Sequence, residues 1–430
     1  MCDLATPEAP EAPGRNLAKT LISLVWIYGG RGVGLLWTLV LVHRLGVAEY
    51  GLYAMATVLN GIVGNTVDNP FAVRAIRESE EHFHRERTMR YLVAVVLVGT
   101  GLAAFQFNYV VGFGLMVAGG EIGLNVVKSQ FARDGHPDKV YRFDTARQFS
   151  SAGIAAVYLY TAAHPTLTVA TLVYCTPYVV IMLAGARLAI GHRPALPGPP
   201  KLIAALSGEM LGTTLYLGGD VLLLGTLVDT KAAGYYQLAW VVAAAVAAAG
   251  QSFGMTYHEP LRKSGGDPAA GPPLRNTLRM AALGGSVLLI IGGCLFAAGA
   301  PTQLATTMVI MGGFAALRIV IFVFQVILYT QRRDVFRLTI AVGLVPVKLG
   351  MVAALTPFGA IGAAIAATVA DAMMLAGFTW AVYRPRPVEP EELVEPVDAA
   401  SEDSAEATET TTMGTDAVPS EPSAGRPEES

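Results

Sequence analysis

Twelve mostly apolar stretches recur along this chain, most of them long enough to cross the hydrocarbon of a bilayer as a helix. They fall at about 19–42, 51–70, 91–107, 109–127, 149–163, 167–187, 203–228, 235–256, 279–299, 304–329, 337–355 and 359–383, bounded by charges, prolines or Gly turns. No polar stretch between them exceeds about 25 residues, which leaves no room for a folded catalytic domain of about 50 residues or more between spans. The 430 residues are 53% hydrophobic and only 15% charged, which argues against a water-soluble enzyme. The expected fold is all-α and integral to a membrane, with about 12 transmembrane helices.

Charge gives the orientation. Of 30 Lys and Arg residues, 25 lie in the leader, the tail and every second connection, among them Arg74, Arg90, Lys128, Arg142, Arg147, Arg275 and Arg337. The alternate connections hold only Arg44 and Lys231. Short cytoplasmic loops retain basic residues, so both termini are expected in the cytoplasm. The excess of 23 Arg over 7 Lys and the abundance of Ala point to a GC-rich bacterium, so the membrane expected is a bacterial plasma (inner) membrane. The net charge of −3 hides a division, because residues 384–430 hold 13 acidic and 3 basic residues and the body before them is basic. The division predicted is a polar leader at 1–18, a first bundle at 19–190, a linker at 191–202, a second bundle at 203–383 and a disordered acidic cytoplasmic tail at 384–430.

The leader, acidic and Pro-rich, lacks the pattern of a secretory signal, so the first span is expected to be retained. Cys2, Cys175 and Cys294 show no metal or disulfide spacing, and His82 and His84 have no further ligands beside them. No cofactor, metal or nucleic acid is expected; the basic loops suit orientation and anionic membrane lipids.

The chain echoes itself. Leu45 to Ala56, LGVAEYGLYAMA, matches Val228 to Ala239, VDTKAAGYYQLA, at an offset of 183 residues, and Gln130 to Arg142 matches Gln325 to Arg337 at 195. Both echoes fall at corresponding places in a six-plus-six division, as in transporters built from parallel repeats.

These segments resemble a family. RLGVAEYGLY (Arg44 to Tyr53), DNPFAVRAIRE (Asp68 to Glu78), the stretch Gly218 to Ala239, Gln325 to Asp334, and TPFGAIGAAIAATVADA (Thr356 to Ala372) are similar, in order, to segments of the oligosaccharide and polysaccharide flippases. Those are the Wzx-like proteins, related to lipid II flippases, of the multidrug/oligosaccharidyl-lipid/polysaccharide (MOP) exporter superfamily. The resemblance covers about 17–385. One departure is the short GAPT turn (Gly299 to Thr302), where helix ends are expected to shift. The resemblance implies a V-shaped pair of six-helix bundles, with a central cavity opening alternately to each side of the membrane. It also implies a non-enzymatic transporter that moves a polyprenyl-phosphate- or pyrophosphate-linked saccharide outward, with envelope glycosyltransferases or a polymerase as candidate partners. An ion-coupled multidrug or metabolite exporter of the same superfamily is the alternative. An integral-membrane glycosyltransferase or polymerase fits less well, since the outer loops are tiny.

Ionisable residues inside spans need a partner or a water-filled cavity. Arg31, with Tyr28 one turn before it, is the first candidate for binding a phosphate-bearing headgroup, and the alternative for Arg31 is an ion pair with Glu121 or Asp220. Arg318 and Lys348 are the second-half cargo candidates, and with Asp371 they form, on the alternative reading, one buried charge cluster. Asp220 is the candidate for H⁺ or Na⁺ coupling, or else for a salt bridge between the bundles.

Overall fold

The computed structural model describes residues 13–384, with side chains from Trp26 onward except those of Ile27, Tyr28 and Arg31. The leader at 1–18, Cys2, the two side chains Tyr28 and Arg31, and the tail beyond Arg384 therefore lie outside, or largely outside, the described residues. The first half contains α1 (Pro13–Leu45), α2 (Val47–Ala75), α3 (Glu80–Phe105), α4 (Tyr109–Arg133), α5 (Pro137–Thr161), α6 (Leu167–Tyr174) and α7 (Thr176–Ala189). The second contains α8 (Pro200–Leu227), α9 (Thr230–Met255), a short α10 (His258–Lys263), α11 (Leu274–Ala297), α12 (Thr302–Thr330), α13 (Asp334–Ala354) and α14 (Ala360–Tyr383). No strand occurs among the described residues.

Each predicted apolar stretch coincides with a helical pass, the sixth being α6 and α7 together. That pass breaks at Cys175, where Pro177 opens α7 without a backbone N–H to continue the ladder from α6. The division at Asn108 is sharp because its side chain caps α4, accepting from the Val111 N–H at 3.1 Å. At the GAPT turn, Gly299 adopts φ +71° and Pro301 caps α12, so two helices are joined by four residues. The ends are shifted from those expected by only a few residues.

The fifth pass differs most from expectation. It starts at Pro137 rather than near 149, and α4 runs on to Arg133, so the basic residues Lys128, Lys139, Arg142 and Arg147 are helical rather than in a loop. Lateral pairing explains this for Lys128 and Arg147: Lys128 on α4 bonds Asp144 on α5 at 2.5 Å, and Arg147 on α5 bonds Glu121 on α4 at 2.8 Å. Charges that meet a partner on the next helix need no solvated loop.

Among the described residues, nine passes are long and apolar enough to cross a membrane. The other three are α1, described with a shorter apolar stretch Gly32–Leu45, and α2 and α5. In α2 the interruption comes from Asn60, Asn65 and Asp68, and in α5 from the charges of its first half. The same residues reappear below around one cavity.

The described residues up to Tyr383 form one compact unit. Within it α4 and α12, the fourth pass of each half, are the most buried spans. Glycines on α4 make this possible: a Cβ on Gly112, Gly119 or Gly120 would collide with Phe105, with the Ala94 carbonyl or with the Tyr178 ring. The halves meet chiefly where α2 packs on α8 and α9. Along α8, Gly218 receives Val58, Gly225 receives Met55, and the Asn69 amide donates to the Leu206 carbonyl at 3.0 Å.

The contact of α2 with α9 obeys the repeat. Gly51 and Gly234 are equivalent at the offset of 183, and so are Val47 and Thr230. A Cβ on Gly51 would overlap the Thr230 carbonyl and lie 3.0 Å from the Gly234 nitrogen; one on Gly234 would overlap the Val47 carbonyl and lie 3.3 Å from the Gly51 nitrogen. Equivalent residues that touch each other reciprocally must straddle the two-fold axis relating the halves. The same symmetry makes α2 on α8 equivalent to α9 on α1. That second seam is not packed to match: between α1 and α9 lies an apolar cleft of about 820 Å³.

Candidate functional site

Two charged regions and one apolar cleft stand out. The first charged region is a cavity of about 360 Å³ inside the first half, within the usual range of roughly 300–1,000 Å³ for small-molecule sites. From α2 it takes Asn60, Gly61, Gly64, Asn65 and Asp68; from α4, Glu121, Ile122, Asn125 and Lys128; from α5, Asp144 and Arg147. Each set follows helical spacing, so one polar stripe per helix faces the centre.

Every charge on this lining has an opposite partner. Arg147 pairs with Glu121 at 2.8 Å and also donates to the Tyr174 hydroxyl at 3.1 Å. Glu121 further accepts from the Tyr178 hydroxyl at 2.7 Å, and Lys128 holds Asp144. Asp68 is gripped bidentately by Arg90 of α3, with both N–O distances 2.5 Å, and accepts from the Asn125 amide at 2.6 Å. The pairs of Arg147 and Lys128 are partly open, since the Glu121 and Asp144 side chains are about 29% and 33% exposed. The cavity is thus formally neutral, rich in donors and acceptors, and reachable by solvent.

The second region is dry. Asp220 on α8, Lys348 on α13, Arg318 on α12 and Asp371 on α14 are all buried. The Lys348 ammonium meets Asp220 at 2.7 Å and donates to the Tyr216 carbonyl at 2.6 Å. Tyr236 of α9 donates its hydroxyl to the same Asp220 carboxylate. Arg318 meets Asp371 at 2.5 Å, and the Tyr216 hydroxyl donates to that carboxylate oxygen at 2.8 Å, so Tyr216 links the two pairs. Both cations lie against its ring, the Arg318 guanidinium 5.5 Å and the Lys348 ammonium 5.0 Å from the centroid. The second Asp371 oxygen and the Arg318 Nε have no partner among the described residues.

The structure therefore gathers Arg318, Lys348, Asp371 and Asp220 into a single network. Arg318 and Lys348, the cargo candidates of the second half, line none of the cavities described here. Asp220 is engaged by Lys348 within its own half rather than across the bundles. Glu121 pairs with Arg147, and the side chains of Arg31 and Tyr28 fall outside the described residues. Sequence reasoning missed the first-half cavity because Arg90, Lys128 and Arg147 read as loop cations. A signal was present: Glu121, Asn125 and Lys128 stand at i, i+4 and i+7, and Asn60, Gly64 and Asp68 at i, i+4 and i+8.

The cleft is lined on α1 by Gly32, Gly34, Leu35 and Thr38, on α9 by residues from Trp240 to Gln251, and on α12 by Phe322. Thr38 and Gln251 are the polar side chains among these. No group of three or more His, Cys, Asp or Glu residues suited to a metal occurs among the described residues.

No known protein family profile matches the chain, and no curated protein matches it in sequence. Solved structures do match in fold. A lipid II flippase, MurJ, in an inward closed conformation superposes with TM-score 0.65 at 10% identity, covering 85% of this chain and 88% of that one. An inward-facing multidrug resistance MATE family transporter of the MOP superfamily gives 0.57 at 14%, covering 83% and 97%. An outward-facing MATE structure gives 0.51 at 14%, covering 84% and 94%. The chain thus has the all-helical fold that these MOP superfamily transporters share.

Proposed function

We propose that this chain is a membrane transporter that flips a polyprenyl-phosphate- or pyrophosphate-linked sugar or oligosaccharide from the cytoplasmic to the outer leaflet, by alternating access, for cell-envelope polysaccharide assembly. The observation that carries this reading is the inequality of two seams that the repeat makes equivalent. One is zipped by α2 and α8; the other is an apolar cleft between α1 and α9. A cargo with a long hydrocarbon chain needs such a cleft, because its tail stays in an apolar surround while its head crosses. The head needs hydrogen-bonding groups in a solvated cavity, and the lining from Asn60 to Arg147 supplies them. Fold likeness to a lipid II flippase supports the same reading.

Arg31 and Tyr28, in α1 beside the cleft-lining Gly32, are proposed as contacts for the cargo phosphate. A guanidinium offers paired donors to phosphate and stays charged when partly buried. Arg318 and Lys348 are assigned instead to holding the second half together. Coupling to H⁺ or Na⁺ at Asp220 would have to displace the Lys348 ammonium, so a driving ion competes with a residue already there.

The test is reconstitution of the whole chain in vesicles holding a fluorescent polyprenyl-phosphate sugar in one leaflet. Protein-dependent exposure of the label to an impermeant quencher is expected, together with its loss in Arg31→Ala. The multidrug-exporter reading, favoured by the MATE superposition, replaces it if folded protein leaves the label protected but expels a cationic dye along an ion gradient.

A further inference from the structure

We propose that a second pocket, between α1 and the first turns of α5, binds the phosphate of a membrane-lipid headgroup. It has a volume of about 400 Å³ and is lined by Trp26, Lys139, Arg142, Phe143 and Ala146. It lies at the end of the helices that bears the basic loops. It occupies the α1-facing side of α5, whereas Asp144 and Arg147 turn toward the polar cavity.

The pocket is built rather than a chance cluster of surface charge. The Thr145 hydroxyl donates to the Trp26 carbonyl at 2.8 Å and fixes α1 on α5. Gly30 and Gly34 permit the approach, since a Cβ on either would crowd Gln148. Phe131 and Phe143 stack with centroids 5.5 Å apart, and the Lys139 ammonium rests 5.4 Å from the Phe131 centroid. The Arg142 guanidinium lies 5.9 Å from the Trp26 ring. Each cation is therefore set against a different aromatic ring.

Neither cation forms an ion pair among the described residues, which distinguishes this pocket from the cavity on the other side of the same helix. A ligand carrying negative charge supplies what the protein does not. Phosphate fits the donors: a planar guanidinium spans two oxygens, and an ammonium meets a third as a point charge. The surroundings point to a lipid as its source. Tyr141, Phe143 and Phe149 on α5 are 36%, 41% and 54% exposed, the aromatic pattern of the headgroup level of a bilayer. Paired basic residues at that depth attract anionic headgroups. The proposal does not rest on the flipping reading, because bulk anionic lipid offers the pocket a phosphate whether or not a polyprenyl phosphate is the cargo.

The test uses the full chain in a neutral detergent, with bound lipid counted by native mass spectrometry. Probes are phosphatidylglycerol, a polyprenyl phosphate, a neutral diacylglycerol with the same chains as the phosphatidylglycerol, and inorganic phosphate. The variant Lys139→Gln/Arg142→Gln should bind at least about tenfold more weakly to one or both phosphate lipids, with the diacylglycerol unaffected and the melting temperature unchanged. Loss confined to the polyprenyl phosphate makes the pocket a station for cargo, and loss of both makes it a general headgroup site. The control Arg275→Gln/Arg279→Gln removes equal charge elsewhere and should change nothing. An equal loss in the control, no loss in the variant, or inorganic phosphate binding as tightly as the lipids would overturn the proposal.

Discussion

Both halves place cations on corresponding helices, Lys128 and Arg147 on the fourth and fifth passes of the first and Arg318 and Lys348 on those of the second, yet treat them oppositely. In the first half, the Arg147–Glu121 and Lys128–Asp144 pairs border a solvated cavity. In the second, Lys348–Asp220 and Arg318–Asp371 sit where neither carboxylate has any exposed surface. An ion pair at the edge of water can exchange its partner for a ligand at small cost, since solvent screens whatever is left over. A pair sealed from water cannot, because either survivor is stranded in a low-dielectric site. The same kind of interaction is thus exchangeable in one half and locked in the other.

The sharpest way to break this contrast is Asp371→Ala, which leaves Arg318 buried with no counter-charge. A loss of about 3–5 kcal/mol is expected, read from thermal or denaturant unfolding of the purified protein. Replacing both partners, Arg318→Met with Asp371→Leu, should recover most of it. A loss below about 1 kcal/mol for the single change would mean that water reaches the network. Next comes Gly51→Ala at the axis between the halves, where the added methyl overlaps backbone. Overpacking of this kind costs about 1–3 kcal/mol and should slow label exposure in vesicles as well. Arg147→Gln sharpens the other side of the comparison: about 1–2 kcal/mol of stability lost, but at least a tenfold loss of transport. Stability and transport falling together in proportion would make Arg147 structural. Smallest is Lys263→Gln, which removes an exposed pair with Glu259 one turn away, and should leave the melting temperature and transport unchanged.

Much of the fold was legible because apolar length is a local property. The twelve stretches, the even spacing of basic connections and the Gly-Tyr echoes each required only neighbouring residues to read. The course of α5 was not legible in this way. A segment such as PDKVYRFDTARQF looks like a loop until Asp144 is known to meet Lys128 and the Thr145 hydroxyl to meet the Trp26 carbonyl, contacts that join different helices. The buried network was half readable. Arg318, Lys348 and Asp371 announced themselves as charges within apolar runs, but which acid meets which base depends on helix rotation. Tyr216 and Tyr236, which tie the carboxylates down, looked like ordinary packing aromatics.

The reciprocal meeting of Gly51 and Gly234 bears on ancestry. A surface that touches its own repeat-mate in this manner is one that two copies of a single six-helix subunit could present to each other as a symmetric dimer. Joining such copies end to end would preserve that contact without any change in its chemistry, while freeing each copy to acquire its own assortment of charges. Any side chain at either glycine would intrude on backbone, so no compensating substitution in the opposite copy could fully relieve it. The two positions should therefore be the slowest to diverge between the halves, even where every neighbouring residue has changed.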